Sequence, residues 1–128
     1  MSKYNLDMKL FTRFVVFLFG IVLLLASCGK APFVSMNGPS NFNFNCKGGT
    51  ETFEIASNRD WSVKSSESWI TVSPSSGAAT DGEITVTVTC APNTTDKSRT
   101  AKITLKAETF TETISVEQDP WVEEESFL

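Results

Sequence analysis

Asp60-Trp61-Ser62-Val63-Lys64-Ser65-Ser66-Glu67-Ser68-Trp69-Ile70-Thr71-Val72-Ser73-Pro74-Ser75-Ser76-Gly77 is the stretch that decides the fold. It holds two of the three tryptophans in a chain of 128 residues. Trp61 opens a short alternating run with Val63. Trp69 or Ile70 opens a second with Thr71 and Val72. Polar residues from Lys64 to Ser68 separate the runs, and Pro74 to Gly77 closes the second. β-branched and aromatic residues in period two, bounded by Ser, Pro and Gly, read as two strands joined by a turn. Each brings a large aromatic to a core.

The same pattern extends to both sides. Phe42, Phe44 and Cys46 alternate with Asn43 and Asn45, and Lys47-Gly48-Gly49 turns the chain. Phe53 and Ile55 share one face of the run from Thr50 to Ser57. Glu83 to Cys90 is the cleanest strand, with Ile84, Val86, Val88 and Cys90 on one face and Thr85, Thr87 and Thr89 on the other. Ala101, Ile103 and Leu105 alternate with Lys102, Thr104 and Lys106. Ile114 and Val116 complete the pattern near Gln118. The expectation is an all-β fold, a single immunoglobulin-like β-sandwich of about seven strands over residues 42–118, each sheet buried on one face and wet on the other. Residues 119–128 form an acidic tail.

The N-terminus reads as an address. Lys3, Lys9 and Arg13 precede an apolar run from Phe14 to Ala26, about 13 residues, against the ~20 that a spanning helix needs. A basic start, a short apolar run and small residues make a cleaved signal peptide over residues 1–27. Met8 offers a second start. Leu24-Leu25-Ala26-Ser27-Cys28-Gly29 resembles a bacterial lipobox. That resemblance implies lipidation of Cys28 and a membrane anchor, in the outer membrane, with residues 28–41 as a lipidated linker. Several acyl chains anchor firmly where one is marginal. Gly29-Lys30-Ala31-Pro32 contains no acidic residue, which leans toward the periplasmic face.

Composition excludes several functions. The chain lacks histidine, the commonest general base and metal ligand. Its formal charge is -4. Residues 1–27 carry Lys3, Lys9, Arg13 and Asp7, a net of +2, so the mature remainder is at -6. A net acidic chain with scattered lysines is a poor nucleic-acid binder. Asp60, Glu67, Asp81 and Glu83 fall in or beside turns, but no spacing marks two of them as a catalytic pair. The expectation is no enzyme activity, no cofactor and no metal site.

Further residues complete a resemblance: Gly48-Gly49-Thr50, Asn58, Trp61, Ser68-Trp69-Ile70-Thr71-Val72-Ser73-Pro74, Gly77, Ile84-Thr85-Val86, Asn93-Thr94-Thr95, Arg99-Thr100-Ala101, Ile103 and Val116-Glu117-Gln118. In order and spacing the string from Phe42 to Gln118 resembles the BACON domain family. The resemblance implies an immunoglobulin-like sandwich of bacterial envelope and secreted proteins, usually beside glycoside hydrolases or other modules. It also implies a carbohydrate or mucin binding role, inferred largely from those neighbours; in several architectures such a domain looks like a spacer. In this sequence no catalytic module comes after the domain.

Two readings of function stand side by side. In the first, a lipid-anchored envelope module binds a host or dietary glycan or a glycoprotein, through loops at 58–60, 65–68, 75–81 and 91–98. Trp121 is its platform, with Trp69 and Asp60 as further contacts. In the second, the domain is a structural spacer or a protein-interaction module of the envelope without glycan affinity. Cys46 and Cys90 both fall in phase with inward neighbours. An oxidising envelope compartment then suggests a Cys46–Cys90 disulfide, against two buried free thiols.

Overall fold

The structure, a computed structural model, describes residues 29–123. Cys28 and the apolar run before it lie outside the described residues, as does the end of the acidic tail. Among the described residues nine strands lie in one compact unit that begins at Pro32. Among the described residues no helix is long and apolar enough to cross a membrane.

Two sheets face each other. The first has the order β1 (Val34–Asn37), β3 (Gly49–Ser57), β7 (Glu83–Cys90) and β5 (Ile70–Ser73), all antiparallel. The second has the order β2 (Asn41–Phe44), β9 (Phe110–Gln118), β8 (Arg99–Ala107), β4 (Trp61–Ser65) and β6 (Ser76–Gly77). In it β2 runs parallel to β9, and the other pairs are antiparallel. The alternation read from sequence becomes the pleat. Phe53 and Ile55 of β3, Val86, Val88 and Cys90 of β7, and Ile103, Leu105, Ile114 and Val116 of β8 and β9 all point inward and are buried. Thr85 and Thr89 of β7 and Lys102 and Lys106 of β8 are exposed on the outer faces.

Nine strands stand where the alternation gave seven. β1 falls inside the segment read as linker. Its Val34 and Met36 are only partly buried, and Gly38 and Pro39 come directly after it, so the alternation is too short to register. Pairing with β3, from Val34 against Ser57 to Asn37 against Glu54, makes it an edge strand. β6 is two residues long and lies in the Pro-Ser-Ser-Gly stretch read as a strand break. Its Gly77 pairs with Trp61.

Two glycines are fixed by sterics. Gly48 has φ +77°, and a Cβ there would run into the Cys90 carbonyl. A Cβ on Gly77 would lie 2.6 Å from Trp61 Cζ2 and 2.8 Å from its Nε1. Trp61 is 3% exposed, so its indole fills the space between β4 and the Gly77 backbone, as its phase required. Gly77→Ala is therefore expected to lower stability by about 1–3 kcal/mol through overpacking. Urea unfolding followed by tryptophan fluorescence measures this, and an unchanged midpoint would contradict the packing described.

Candidate functional site

The strand directions sort the loops into two groups. Gly49 pairs with Cys90, and Arg99 with Gln118, so the start of β3, the end of β7, the start of β8 and the end of β9 share one end of the sandwich. The opposite end holds Ser57, the start of β4, Ala107 and Phe110. The loops at 91–98 and 65–68 approach the first end, whereas those at 58–60 and 75–81 belong to the second. The four loops read as one binding surface are thus divided.

At the first end a polar network replaces apolar packing. Gln118 is 2% exposed, and its Nε2 donates to the carbonyls of Asn45 (3.1 Å) and Ala91 (3.0 Å). Its Oε1 accepts from Arg99 Nε at 2.8 Å. Arg99 also donates to the carbonyls of Ala91 and Pro92, both at 3.0 Å. Its guanidinium lies 4.3 Å above the centre of the Trp69 ring, within cation–π range. Asn93, fully buried, donates to the carbonyls of Lys97 (2.8 Å) and Asp119 (2.9 Å) and accepts from Thr95 Oγ1 (2.8 Å) and Thr95 N (3.2 Å). Burying polar groups costs little when they are satisfied in this way.

This network assigns the named site residues. Trp69 is half-buried beneath Arg99 and packs against the core, so its ring is a structural support rather than a free platform. Trp121 is 49% exposed, with its N–H held by the Thr95 carbonyl at 2.7 Å. Asp60 lies at the opposite end, where its Oδ1 accepts from Ala79 N at 3.2 Å and pins the 78–81 loop. Trp121 and Asp60 therefore do not share a site. Near Asp60, Arg59 pairs with Glu108 at 2.8 Å.

Cys46 and Cys90 are free thiols, and the bridge expected between them is not formed. The Cys46 carbonyl accepts from Asn93 N, three residues past Cys90, at 2.8 Å. β2, however, ends at Phe44, so Cys46 sits in the turn and leaves the inward phase of Phe42 and Phe44. Cys90 is buried and its thiol donates to the Ala91 carbonyl at 3.6 Å. Burial pushes the Cys90 thiol above its ordinary pKa, and the nearby Arg99 charge opposes this in part.

One feature was not legible in the sequence. A recess of about 310 Å³ opens on the outer face of the second sheet, lined by Ser66, Glu67, Thr100, Lys102, Ser115 and Glu117 among others. Ser66 closes one side: its N–H donates to the Lys102 carbonyl at 2.8 Å, and Lys102 N–H returns a bond to its Oγ at 3.0 Å. Among the described residues no group of three or more His, Cys, Asp or Glu could hold a metal ion.

The model of one protein family, described as "Putative binding domain, N-terminal", matches residues 59–119. Residues 59–119 are a BACON domain. β1, β2 and β3 precede the matched residues and complete the sandwich. A Bacteroides ovatus GH5 xyloglucanase in complex with a XXXG heptasaccharide is similar at 28% identity and TM-score 0.63. The similarity covers 70% of this chain and only 19% of that one. Two further structures are similar below a TM-score of 0.5. They are WR4, an MSP family member from C. elegans (19% identity, TM-score 0.47, 71% of this chain and 100% of that one), and a Bacteroides thetaiotaomicron protein (18%, 0.45, 76% and 93%). No curated protein matches the sequence.

Asn93, Thr95, Arg99 and Gln118, all within the matched residues, form the polar network itself. Asn93→Ala is expected to cost about 1–3 kcal/mol, because several buried partners lose their hydrogen bonds at once. Thermal unfolding read by circular dichroism tests this. For the thiols, mass spectrometry without reductant is expected to show Cys46 and Cys90 both alkylated in denaturant, and Cys46 reacting first in the folded protein at pH 8. The raised Cys90 pKa favours the folded state while the thiol is neutral. That contribution is full below the unfolded pKa and is lost as pH rises through the higher folded value. Wild-type stability is therefore expected to fall more steeply in alkaline solution than that of Cys90→Ala.

Proposed function

We propose that this BACON domain is a non-catalytic binding module of the bacterial cell envelope, anchored by lipid on Cys28, and that its ligand is a glycan, free or on a glycoprotein. Its contact surface is the end of the sandwich formed by Trp121 and the 91–98 loop.

The observation that carries this reading is the placement of Trp121. Its indole is half exposed, yet its backbone is tied to Thr95, and Thr95 is tied to buried Asn93. An aromatic held rigidly at a surface binds with little ordering cost. A flat apolar ring with polar neighbours suits the face of a sugar. The similar domain in a xyloglucanase crystallised with an oligosaccharide supports a glycan as the ligand class. It supports no catalysis here, since the likeness spans 19% of that enzyme.

A spacer role is the second reading, and one observation favours it. β1 enters at the end where β3 finishes, and β9 leaves at the opposite end. The chain therefore enters and leaves the sandwich at opposite ends, as a spacer requires.

The full-length protein in non-ionic detergent, beside a Trp121→Ala twin, tests both on an array of mucin and plant glycans. Specific binding that weakens about tenfold in the twin, or roughly 1.4 kcal/mol, is the expected outcome. Silence of both proteins, each folded by circular dichroism, would leave the spacer reading in its place.

A further inference from the structure

The lysines of this domain are not scattered evenly. Every lysine that lies on a strand lies on the second sheet: Lys64 on β4, and Lys102 and Lys106 on β8. Their neighbours Val63, Ala101, Ile103 and Leu105 are buried inward, so all three amines belong to the outer face. Lys64 pairs with Thr104, which stands midway between Lys102 and Lys106. Each Lys64 to β8 lysine step is therefore a diagonal of about 7–8 Å between Cα atoms. Lys102 and Lys106 are about 13 Å apart along the strand. Among the described residues none of the three forms an ion pair. The outer face of the first sheet, by contrast, carries Glu54 and Glu83 and no basic residue.

Beside this row of cations lies the 310 Å³ recess, into which Lys102 also faces. Its remaining polar lining is hydroxyls and two carboxylates: Ser66, Thr100 and Ser115, with Glu67 and Glu117. That mixture selects among anions. A nucleic acid or a phospholipid surface presents dense phosphate and would be repelled by Glu67 and Glu117. The face also lacks any aromatic ring on which a base could stack. A sugar polymer carrying spaced acidic groups satisfies both halves. Its carboxylates or sulfates meet the lysines, and its hydroxyls donate to the two glutamates and exchange hydrogen bonds with Ser66, Thr100 and Ser115.

We propose that the outer face of the second sheet, through Lys64, Lys102 and Lys106 and the adjoining recess, is a binding site for acidic polysaccharide, separate from the Trp121 end.

The test is titration of the full-length protein in non-ionic detergent with polygalacturonate, kappa-carrageenan (a sulfated galactan with its charges spaced), neutral dextran and single-stranded DNA. Binding to at least one of the two acidic polysaccharides, and not to dextran, is expected; the two arms separate carboxylate from sulfate. With about three charges neutralised, and the salt slope seen for flexible polyanions, affinity should fall roughly twentyfold between 50 and 200 mM salt. The triple variant Lys64→Gln, Lys102→Gln, Lys106→Gln should lose at least tenfold, while Thr85→Ala, on the exposed outer face of the first sheet, retains wild-type affinity. Glu67→Gln with Glu117→Gln should strengthen DNA binding more than polysaccharide binding. Failure to bind either acidic polymer, or equal binding by the triple variant, would overturn the proposal. So would a wild-type preference for DNA. Sedimentation showing a self-association that the triple variant abolishes would also overturn it, by assigning the lysine face to Glu54 and Glu83 of a second copy.

Discussion

The fold closes on the side chain of Gln118. It leaves the last residue of β9 in one sheet and donates both to the β2–β3 turn at Asn45 and to Ala91, the residue after β7 of the other sheet. Sheets packed through side chains alone are free to shear. A buried amide that spans the gap removes that freedom, because sliding either sheet strands a polar group without water. Arg99 completes the arrangement. It satisfies the one oxygen Gln118 cannot pair with backbone N–H, and it lays its charge on Trp69 instead of leaving it buried and bare. Trp69 lies just before β5, so the bracket reaches the far edge strand of the first sheet. Asn93 repeats the device one turn away and fixes the path by which Asp119 leaves the sandwich.

Much of this architecture can be read from the sequence, for a physical reason. Val86 and Val88, or Ile103 and Leu105, must sit on one face if half of each strand is buried, so alternation translates directly into inside and outside. Trp61 obeyed its phase and entered the core. Elements with little burial escaped. β1 gains its place from hydrogen bonds to β3 and only partial burial of Val34 and Met36, and β6 exists because Gly77 must lie flat on an indole. Cys46 illustrates the limit of phase arguments. It keeps period with Phe44 in sequence, but the Asn45 turn, closed by bonds from Lys47 N and Gly48 N, takes it out of the strand.

The candidate site was less legible, because its residues belong together only through register. Nothing in the spacing of Lys64 and Lys102 relates them. The pairing of β4 with β8 does, by setting Lys64 opposite Thr104. Asp60 shows the reverse case. It adjoins Trp61 in sequence and looked eligible for a ligand, yet its carboxylate is engaged by the backbone of the loop it supports.

The residues of the polar network are therefore poor guides to what the domain binds. Asn93, Arg99 and Gln118 each have a geometric task inside one bracket, and those tasks are the same whatever ligand lies outside. Binding specificity must then reside in positions the bracket leaves free: Trp121 beyond it, and the outward half of β4, β8 and β9. An outward residue on a strand can change from threonine to lysine without disturbing the core beneath it, because the pleat sends the two sets of side chains to opposite sides. The three lysines stand on Val63, Ile103 and Leu105, which hold them in fixed positions. That rigidity gives a row of like charges in an otherwise acidic protein a definite spacing, which a solvated loop of the same composition would lack.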